Sequence, residues 1–444
     1  MGWSSTAQNL QCMLASGIFS EGLEKGKLVI LLKDPTGDQS SIKNYRPIVL
    51  LPVYGKILEK LLKARLARLS PLHSGVQFGF VAGRSTSDAL VRYKNTVKGS
   101  NKKYVMTIFV DVRGAFDNVW WPALIRNLRN RGIPHEMLVM LKSYLTDRGV
   151  EFTQGDVTVR KQTTKGCPQG SVLGPTLWNF ILDPLLDSEW SIGVTATAYA
   201  DDLAVVVARD GRAEMIATAQ EALDKIAEWA RGNKLSISTE KTVYMVNRSP
   251  PRVHHRDIRL FIGNVPIRRV NTYRYLGTIV DPKLTFESNA AYAVRKARVV
   301  IMGLRRKLAR HWGQDTARAL HTIYRGAILP ILTYGSRAWI ERIHLTKIKR
   351  KYNSAYGMIA RLLTRSYCSV SADAAGVLAG LLPVDLEIEK ANCLRELRNG
   401  RGPTFRTSTS LLIRLTLLRT PPCTSKSWLK INGRKDGQIL KKEE

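Results

Sequence analysis

Two adjacent carboxylates stand inside one of the most apolar stretches of this sequence. Asp201 and Asp202 lie in "TATAYADDLAVVVA" (195–208), a β-branched run that is typical of a buried hairpin. A third carboxylate, Asp111, lies near the end of the apolar strand predicted at 102–112. Burying a carboxylate is costly unless it is paired, hydrogen-bonded or bound to a metal. If their strands are adjacent in one sheet, the three carboxylates meet and require a compensating cation.

Oxygen ligands without a neighbouring histidine or cysteine fit Mg²⁺ or Mn²⁺ best. Two such ions can hold the attacking and leaving oxygens of an in-line phosphoryl displacement, one at a 3′-hydroxyl and the other at a triphosphate. A purely structural alternative stays open, since Asp pairs also occur in turns and a single Asp in a strand is more often part of a hydrogen-bonded structure.

The charge balance indicates a polyanionic partner. The 444 residues, enough for two or three cores, carry 69 Lys and Arg against 36 Asp and Glu, which gives a net charge of +33. Nucleic acid is the favoured polyanion and an anionic membrane is the rival, although no apolar run is long enough to span a bilayer. The five cysteines have no zinc-type spacing, as expected for an intracellular protein with reduced thiols.

The elements that must position these carboxylates follow from the apolar periodicity, which predicts a mixture of helices and strands. Strands are expected at 27–32, 102–112, 235–238 and 242–247, a hairpin at 151–166, and helices at 54–69, 122–132, 135–147, 173–190 and 212–230. From residue 288 the pattern is helical. Residues 291–310 contain seven basic residues and no acidic one, and they carry an apolar stripe formed by Val294, Ala297, Ile301, Leu304 and Leu308.

Such a helix can pack on the protein with its apolar face and lie along a phosphate backbone with its cationic face. The alternative is a basic face that is only solvated.

Several segments resemble, in order, the motifs of reverse transcriptases, most of all those of non-LTR (LINE-type) retrotransposons of arthropods, in the type-one-like group that inserts at ribosomal DNA. The palm motifs are matched by "FVDVRGAFDNV" (109–119), "GCPQGSVLGPTLWN" (166–179), "AYADDLAVVV" (198–207), "KLSISTEKTVYMV" (234–246) and "YRYLGTIVD" (273–281). Fingers segments are matched by "GKLVILLKDPTGDQSSIKNYRPIVLLPVYGKILEKLL" (26–62) and "QFGFVAGRSTSDAL" (77–90), and a segment beyond the palm by "LPILTYGSRAW" (329–339). The resemblance runs from about residue 17 to residue 340.

The resemblance implies an α+β fold of the right-hand polymerase type, with fingers, a palm built on an antiparallel sheet with flanking helices, and a helical thumb. The implied boundaries are an N-terminal lead-in at 1–26, fingers at 27–101, a palm at 102–284 with inserted fingers elements at about 130–165, a thumb at 285–345 and a basic C-terminal region at 346–444. The last residues, 401–444, are expected to be loosely folded. Such elements usually encode an endonuclease before the polymerase and a zinc knuckle after it. Neither is recognised here, so a truncated fragment of a pol polyprotein is expected.

Carried over residue by residue, the resemblance makes Asp111 and Asp201 the metal ligands and Asp202 the third carboxylate. The backbone carbonyl of Val112 would complete a coordination shell. Lys241 matches a lysine placed near the leaving pyrophosphate, as a general acid. Taken alone, Lys241 would be read as a solvated lysine at a strand end.

The resemblance also implies contacts with the nucleotide. Phe116 matches a steric gate, whose ring would occupy the space that a ribose 2′-hydroxyl needs. Arg46, extended because it precedes a proline, matches an arginine that lies over the nucleotide's phosphates. Gln169 and Gly170 would lie at a turn whose backbone approaches the incoming base pair. Without the resemblance, Phe116 would be read as a core residue and Arg46 as a member of a surface ion pair. Gln169 and Gly170 would be read as part of an ordinary turn.

Two further sets of residues are implied to bind nucleic acid. "YLG" resembles the primer-grip hairpin that positions a 3′ end, and the basic helix would contribute a cluster of three cations. These residues are Tyr275, Leu276, Gly277, Arg305, Arg306 and Lys307.

The implied function is that of an RNA-directed DNA polymerase, which extends a DNA 3′-hydroxyl with dNTPs on an RNA template by two-metal phosphoryl transfer. The implied cofactor is Mg²⁺ or Mn²⁺, and the partners are an RNA template, a DNA primer or target and dNTPs, with no membrane. The expected location is intracellular, nuclear during action on a chromosomal target and otherwise cytoplasmic.

Two alternative functions remain. A viral RNA replicase is disfavoured by Phe116, since an enzyme that makes RNA must accept the 2′-hydroxyl. An inactive truncated copy that only binds nucleic acid is disfavoured because the three carboxylates, Gln169 and Lys241 are all present.

Overall fold

A computed structural model of the chain describes residues 22–33, 38–70, 75–251, 258–308 and 314–398, together with residues 8, 11–13 and 16–19. The chain divides into two compact units between Asn271 and Thr272. Helices and strands both occur in the described residues, which confirms the predicted α+β class. The finer boundaries between fingers, palm and thumb stay predictions.

The first unit contains most of the strands. In chain order these are β1 (Lys25–Leu32), β2 (Tyr45–Leu50), β3 (Tyr104–Val110), β4 (Gly149–Gln154), β5 (Val157–Gln162), β6 (Val194–Tyr199), β7 (Asp202–Arg209), β8 (Val243–Arg248), β9 (Phe261–Ile262), β10 (Val265–Pro266) and β11 (Arg268–Arg269). Its helices are α1 (Val53–Leu69), α2 (Thr86–Gly99), α3 (Trp121–Asn130), α4 (His135–Leu145), α5 (Gly174–Leu186) and α6 (Arg212–Gly232).

A five-stranded sheet with the strand order β11-β8-β3-β7-β6 forms the centre of this unit. The even-numbered residues of β3 pack in one apolar cluster with residues of α6, among them Leu223 and Ile226. On the opposite face, the ring of Phe109 lies 5.8 Å from the ring of Tyr93 in α2. Because helices cover both faces, β3 and β7 are apolar almost throughout rather than alternating between apolar and polar residues.

A second sheet has the order β2-β1-β4-β5. Strand β1 pairs antiparallel with β2 and parallel with β4, and β4 and β5 form the hairpin that the sequence predicts. A large apolar cluster brings together residues of the helices α1, α3, α4 and α5, including Leu62, Leu128, Leu141 and Trp178. These helices fall where the periodicity predicts them, within a few residues at each end.

One predicted strand is wrong. Residues 235–238 form no ladder, and only Ile237 makes a single bridge, to Val112. Lys234 takes a positive φ of 53°, and the backbone N–H of Thr242 donates to the carbonyl of Ser238 at 2.8 Å. A left-handed residue before the segment and a tight turn after it leave too little extended chain for a strand.

The second unit is mainly helical. It begins with a short hairpin of β12 (Tyr273–Tyr275) and β13 (Thr278–Val280). Its helices are α7 (Glu287–Leu308), α8 (Gln314–Ile323), α9 (Leu329–Thr333), α10 (Ser336–Trp339), α11 (Thr346–Thr364), α12 (Ala372–Leu378) and α13 (Val384–Arg398), with a π-helical turn at Tyr324–Ile328 before α9.

The apolar stripe predicted on the basic helix is confirmed at its first three residues in α7, whereas Leu304 is half-buried and the side chain of Leu308 lies outside the described residues. Val294, Ala297 and Ile301 are buried there, at most 5% exposed. The C-terminal residues 401–444, predicted to be loosely folded, lie outside the described residues. Among the described helices, none combines the length and the apolar character that crossing a membrane requires.

Candidate active site

The tandem aspartates lie at the tip of the hairpin formed by β6 and β7, as the sequence predicts. Tyr199 pairs with Asp202, and Ala200 and Asp201 form the two-residue turn between them. Ala200 has a φ of +58°. This left-handed conformation costs an L-residue about 1–2 kcal/mol, so contacts around the turn must stabilise it.

Asp111 follows directly on β3. Since β3 and β7 are antiparallel and Val110 pairs with Leu203, the end of β3 meets the beginning of β7. The backbone N–H of Asp111 donates to Thr242 Oγ1 at 3.2 Å, and its carbonyl accepts from the N–H of Ser238 at 2.8 Å. The sheet register therefore brings Asp111 to the same end of the sheet as the tandem aspartates.

The three carboxylates interact electrostatically. Burial raises the pKa of Asp201; the charge of Asp111 raises it further, whereas its own backbone N–H and Lys241 oppose the rise. Asp202 reaches solvent on one side, but the surrounding protein still removes enough water to raise its pKa to about 6, with added repulsion from Asp201 and Asp111. The exposed Lys241 places its Nζ 3.7 Å from Asp111 Oδ2, where its positive charge offsets part of the negative charge of the aspartates.

Carboxylates held at the same end of a sheet repel one another, and this repulsion favours the uptake of positive charge. Among the described residues, no three His, Cys, Asp or Glu side chains are grouped closely enough to hold a metal ion. The donors themselves nevertheless fit a hard divalent cation, because they are carboxylate oxygens at one end of the sheet, beside the buried Val112 with its backbone carbonyl. A divalent cation would relieve the repulsion that the fold imposes on these aspartates.

A buried amide network surrounds the turn, and the reasoning from sequence missed it. Gln77 Oε1 accepts from the N–H of Ala200 at 3.1 Å, and Gln77 Nε2 donates to the carbonyl of Ala200 at 3.3 Å. Gln77 Nε2 also donates to Asn179 Oδ1 at 3.2 Å, and Asn179 Nδ2 donates to the carbonyl of Gly79 at 3.1 Å. Both segments carry the family resemblance, but spacing alone cannot show that their amides meet.

Phe116 lies in a 3-10 turn just after Asp111 and is half-buried. Its ring contacts Trp178 at 5.7 Å between centroids and the exposed ring of Phe80, edge to face, at 5.8 Å. Its carbonyl accepts from the N–H of Cys167 at 2.7 Å. The predicted gate residue is therefore held by two aromatic neighbours that the sequence reasoning did not identify.

The loop before α5 joins Phe116 to the second sheet. Gln169 Nε2 donates to Asp117 Oδ1 at 3.1 Å, and the carbonyl of Gln169 accepts from the N–H of Val49 in β2 at 2.7 Å. Gly170 has a φ of +121°, and a Cβ on it would lie 2.4 Å from the carbonyl oxygen of Val49. The close approach at this glycine is to β2, and the expected approach to a base pair stays a prediction.

Cys167, in the same loop, is buried at 3% exposure. Burial raises the pKa of its thiol to about 12, because the nearby positive charge of Arg148 only partly offsets the loss of water. The thiol is therefore protonated and poorly reactive at neutral pH.

Arg46 is exposed on β2, in the extended conformation that the following proline favours. In the second unit, Tyr275 and Leu276 are buried, and Tyr334 donates to the carbonyl of Leu276 at 2.9 Å. The "YLG" turn therefore offers its backbone, with the half-buried Gly277, rather than two side chains.

Arg305 and Arg306 are exposed on α7, in keeping with a cationic face. The side chain of Lys307 lies outside the described residues.

A family model described as reverse transcriptase (RNA-dependent DNA polymerase) matches residues 32–280. The chain is 31% identical, over 90% of its length, to the putative 115 kDa protein in type-1 retrotransposable element R1DM of Drosophila melanogaster, of which it covers 39%. It is 30% identical, over 88% of its length, to the retrovirus-related Pol polyprotein from type-1 retrotransposable element R1 of Bradysia coprophila, again covering 39% of that protein.

A third relative, the RNA-directed DNA polymerase from mobile element jockey of Drosophila melanogaster, is 30% identical over 76% of this chain and 38% of its own length. The chain thus spans about two fifths of the length of these curated relatives. Among solved structures, the apo telomerase from Candida tropicalis matches at 10% identity and a TM-score of 0.44, covering 93% of this chain and 73% of that one.

Proposed function

Because this chain belongs to the reverse transcriptase family, we propose that it is the RNA-directed DNA polymerase of a type-one-like non-LTR retrotransposon. The family match covers more than half of the chain, and the curated relatives include type-1 retrotransposon proteins. They confirm the resemblance seen in the motifs and, with it, the right-hand polymerase fold. The proposed reaction is the extension of a DNA 3′-hydroxyl with dNTPs on an RNA template.

One observation carries this proposal: the sheet register brings Asp111, Asp201 and Asp202 to one end of the central sheet, where burial and the charge of neighbouring aspartates raise the pKa of Asp201 and Asp202. Asp111 and Asp201, with the carbonyl of Val112, would hold Mg²⁺ or Mn²⁺, and Asp202 would be the third carboxylate. When bound there, such ions would polarise the attacking hydroxyl and neutralise the charge of the triphosphate.

The remaining residues would bind and orient the nucleotide. Lys241, 3.7 Å from Asp111, is exposed and can donate a proton to the leaving pyrophosphate. Arg46 would bind the phosphates, and Phe116 would exclude a 2′-hydroxyl. Gln169 would lie near the incoming base pair, held by its contact with Asp117. Orientation of these groups contributes much of the rate in phosphoryl transfer.

The net charge of +33 supports an extended nucleic-acid partner, which we propose to be an RNA template paired with a DNA primer. The exposed arginines of α7 and the "YLG" turn are the proposed contacts in the second unit. The same proposal has the protein acting inside the cell, in the nucleus when its target is chromosomal DNA.

Primer extension on an RNA template with dNTPs and Mg²⁺ tests the function. The unchanged protein should extend the primer, and Asp201→Asn should lower the rate by roughly 10²–10³-fold, equivalent to about 3–4 kcal/mol. Asp224→Asn, an exposed aspartate on α6, is the matched control and should retain full activity. Undiminished extension by Asp201→Asn would exclude the assigned role, and template binding without extension would favour the inactive-copy alternative.

A further inference from the structure

We propose that Gln77 and Asn179 are positioning residues for the catalytic turn, defined as Ala200–Asp201. They hold the turn in its left-handed conformation and so direct the carboxylate of Asp201 toward Asp111. The inference rests on the proposed polymerase function, because it assigns these amides a part in that reaction. Neither amide touches nucleotide or metal in this assignment; both act through the turn.

The turn needs external support. Left-handed backbone is usual for glycine and uncommon for other residues, yet position 200 is an alanine with a φ of +58°. Such a conformation persists only where surrounding contacts determine it, and it is found most often at functional sites. The contacts that determine it here come from outside the hairpin.

Gln77 makes these contacts in the way that the backbone of an adjacent strand would. The N–H of Phe78 donates to the carbonyl of Ala198 at 2.8 Å, and the N–H of Ala198 donates to the carbonyl of Val76 at 3.0 Å, so this segment runs beside β6. Where the backbone pairing stops, the side-chain amide of Gln77 continues it by binding both the N–H and the carbonyl of Ala200.

Every hydrogen-bonding position of the Gln77 amide is used. Its Oε1 accepts from Ala200 and from the N–H of Gly79 at 2.8 Å, and its Nε2 donates to Ala200 and to Asn179. Gln77 and Asn179 are each 1% exposed, so water does not compete for these bonds. A fully satisfied buried amide of this kind fixes the geometry of its partners.

Asn179 ties the network to helix α5. It accepts from Gln77 and donates to the carbonyl of Gly79, which fixes the segment beside the turn. Only glycine fits at position 79, because a Cβ there would lie 2.1 Å from the backbone nitrogen of Ala200. The turn is thus enclosed by a helix on one side and a closely packed backbone on the other.

The consequence for catalysis follows from chain connectivity. The peptide that joins Ala200 to Asp201 sets the direction of the Asp201 side chain. Were Ala200 to relax to a right-handed conformation, that peptide would rotate and Asp201 would leave the group it forms with Asp111. Loss of the amide should therefore lower kcat for nucleotide addition while leaving KM for the dNTP nearly unchanged.

The test variant is Gln77→Met, which keeps the length of the side chain and removes all four hydrogen bonds. We expect kcat to fall at least tenfold, KM for the dNTP to change less than twofold, and the amide of Ala200 to exchange its hydrogen at least tenfold faster. Adding Ala200→Gly should restore at least a third of the missing rate, since glycine adopts the left-handed conformation without help. Asn179→Ser is a smaller change that should also lower kcat and speed the exchange at Ala200. It replaces Gln77→Met as the test variant if Gln77→Met does not fold.

Asn247→Ala is the matched control. Asn247 is a buried amide, 9% exposed, that accepts from Thr107 Oγ1 near the other end of the central sheet. It should lower the melting temperature without changing kcat or the exchange of Ala200. The proposal is overturned if Gln77→Met keeps the unchanged protein's kcat, or if Ala200→Gly restores nothing.

Failure of the polymerase function would look different. If the unchanged protein binds template and primer but never extends the primer, the proposed function falls. Hydrogen exchange at Ala200 would still decide whether Gln77 holds the turn.

Discussion

The side chain of Asp202 carries a negative charge that its position in the fold disfavours. Its pKa of about 6 lies above its ordinary value of 3.8, so the folded protein binds a proton more tightly than the unfolded chain does. The resulting contribution to stability is present below about pH 4 and is lost as the pH rises through about 6. At neutral pH without divalent cations, the ionised carboxylate therefore destabilises the fold.

We expect Asp202→Asn to raise the melting temperature in the presence of a chelator by roughly 1–3 °C at pH 8, because an uncharged amide loses less on burial and is not repelled by Asp201 and Asp111. At pH 4 the difference should shrink toward zero. Thermal unfolding at both pH values measures this. A variant that melts below the unchanged protein at pH 8 would show that the carboxylate is not destabilising.

Phe116 supports a prediction about sugar selection. Its ring is held between Trp178 and Phe80, so a smaller side chain should leave a space that a 2′-hydroxyl can enter. Phe116→Val should raise the incorporation of ribonucleotides relative to deoxynucleotides at least tenfold, measured by single-nucleotide extension. Phe261→Val, a half-buried phenylalanine in β9, should leave that ratio unchanged. An unaltered ratio in Phe116→Val would contradict a gate at this position.

The three aspartates could be identified as candidate site residues from the sequence, because a carboxylate inside an apolar run is costly to bury unless it has a function or a partner. The partners of the catalytic turn could not. Gln77 and Ala200 are 123 positions apart, and the contact between them depends on how the whole unit packs. Gln77 begins a segment that resembles the family, but neither that resemblance nor the spacing shows which backbone its amide binds.

Strong apolar periodicity made the helices α1 and α6 and the β6–β7 hairpin predictable from the sequence. The segment 235–238 was predicted to be a strand because its apolar and polar residues alternate, but its backbone forms no strand. Lys234 turns the chain just before it, and the segment makes a single β-bridge, between Ile237 and Val112. An alternating pattern therefore predicts a strand reliably only where the flanking residues can also stay extended.

The loop before α5 packs closely against β2 at Gly170. Gly170→Ala should destabilise the fold by at least about 2 kcal/mol more than Gly155→Ala, since both strain the backbone but only position 170 adds a collision with β2. Gly155, in the β4–β5 turn, has a φ of +58° and open space around it. Chemical denaturation measures the difference. Equal losses would mean that the loop moves away from β2 at little cost.

For the whole molecule, the excess of positive charge makes nucleic-acid binding sensitive to salt. Replacing Arg305 and Arg306 by Gln should weaken the binding of an RNA–DNA hybrid and lower the slope of log K against log salt by about 1 for each phosphate that the protein no longer neutralises. Fluorescence anisotropy across a salt series measures this slope.

The matched control carries the same change of charge on helices α3 and α4, as Arg129→Gln with Lys142→Gln. Both of these side chains are exposed. An equal decrease of the slope in the control would mean that binding follows overall charge rather than a contact made by α7.

The buried thiol beside Gln169 has a practical consequence. Cys12 and Cys368 are exposed, whereas Cys167 is enclosed and its pKa is about 12. With the other four cysteines of the sequence replaced by serine, Cys167 is the one thiol left to alkylate. Because it is enclosed, alkylation would require the loop to open, and the labelling rate would measure that opening. A bound nucleotide that holds the loop closed should lower the alkylation rate of Cys167.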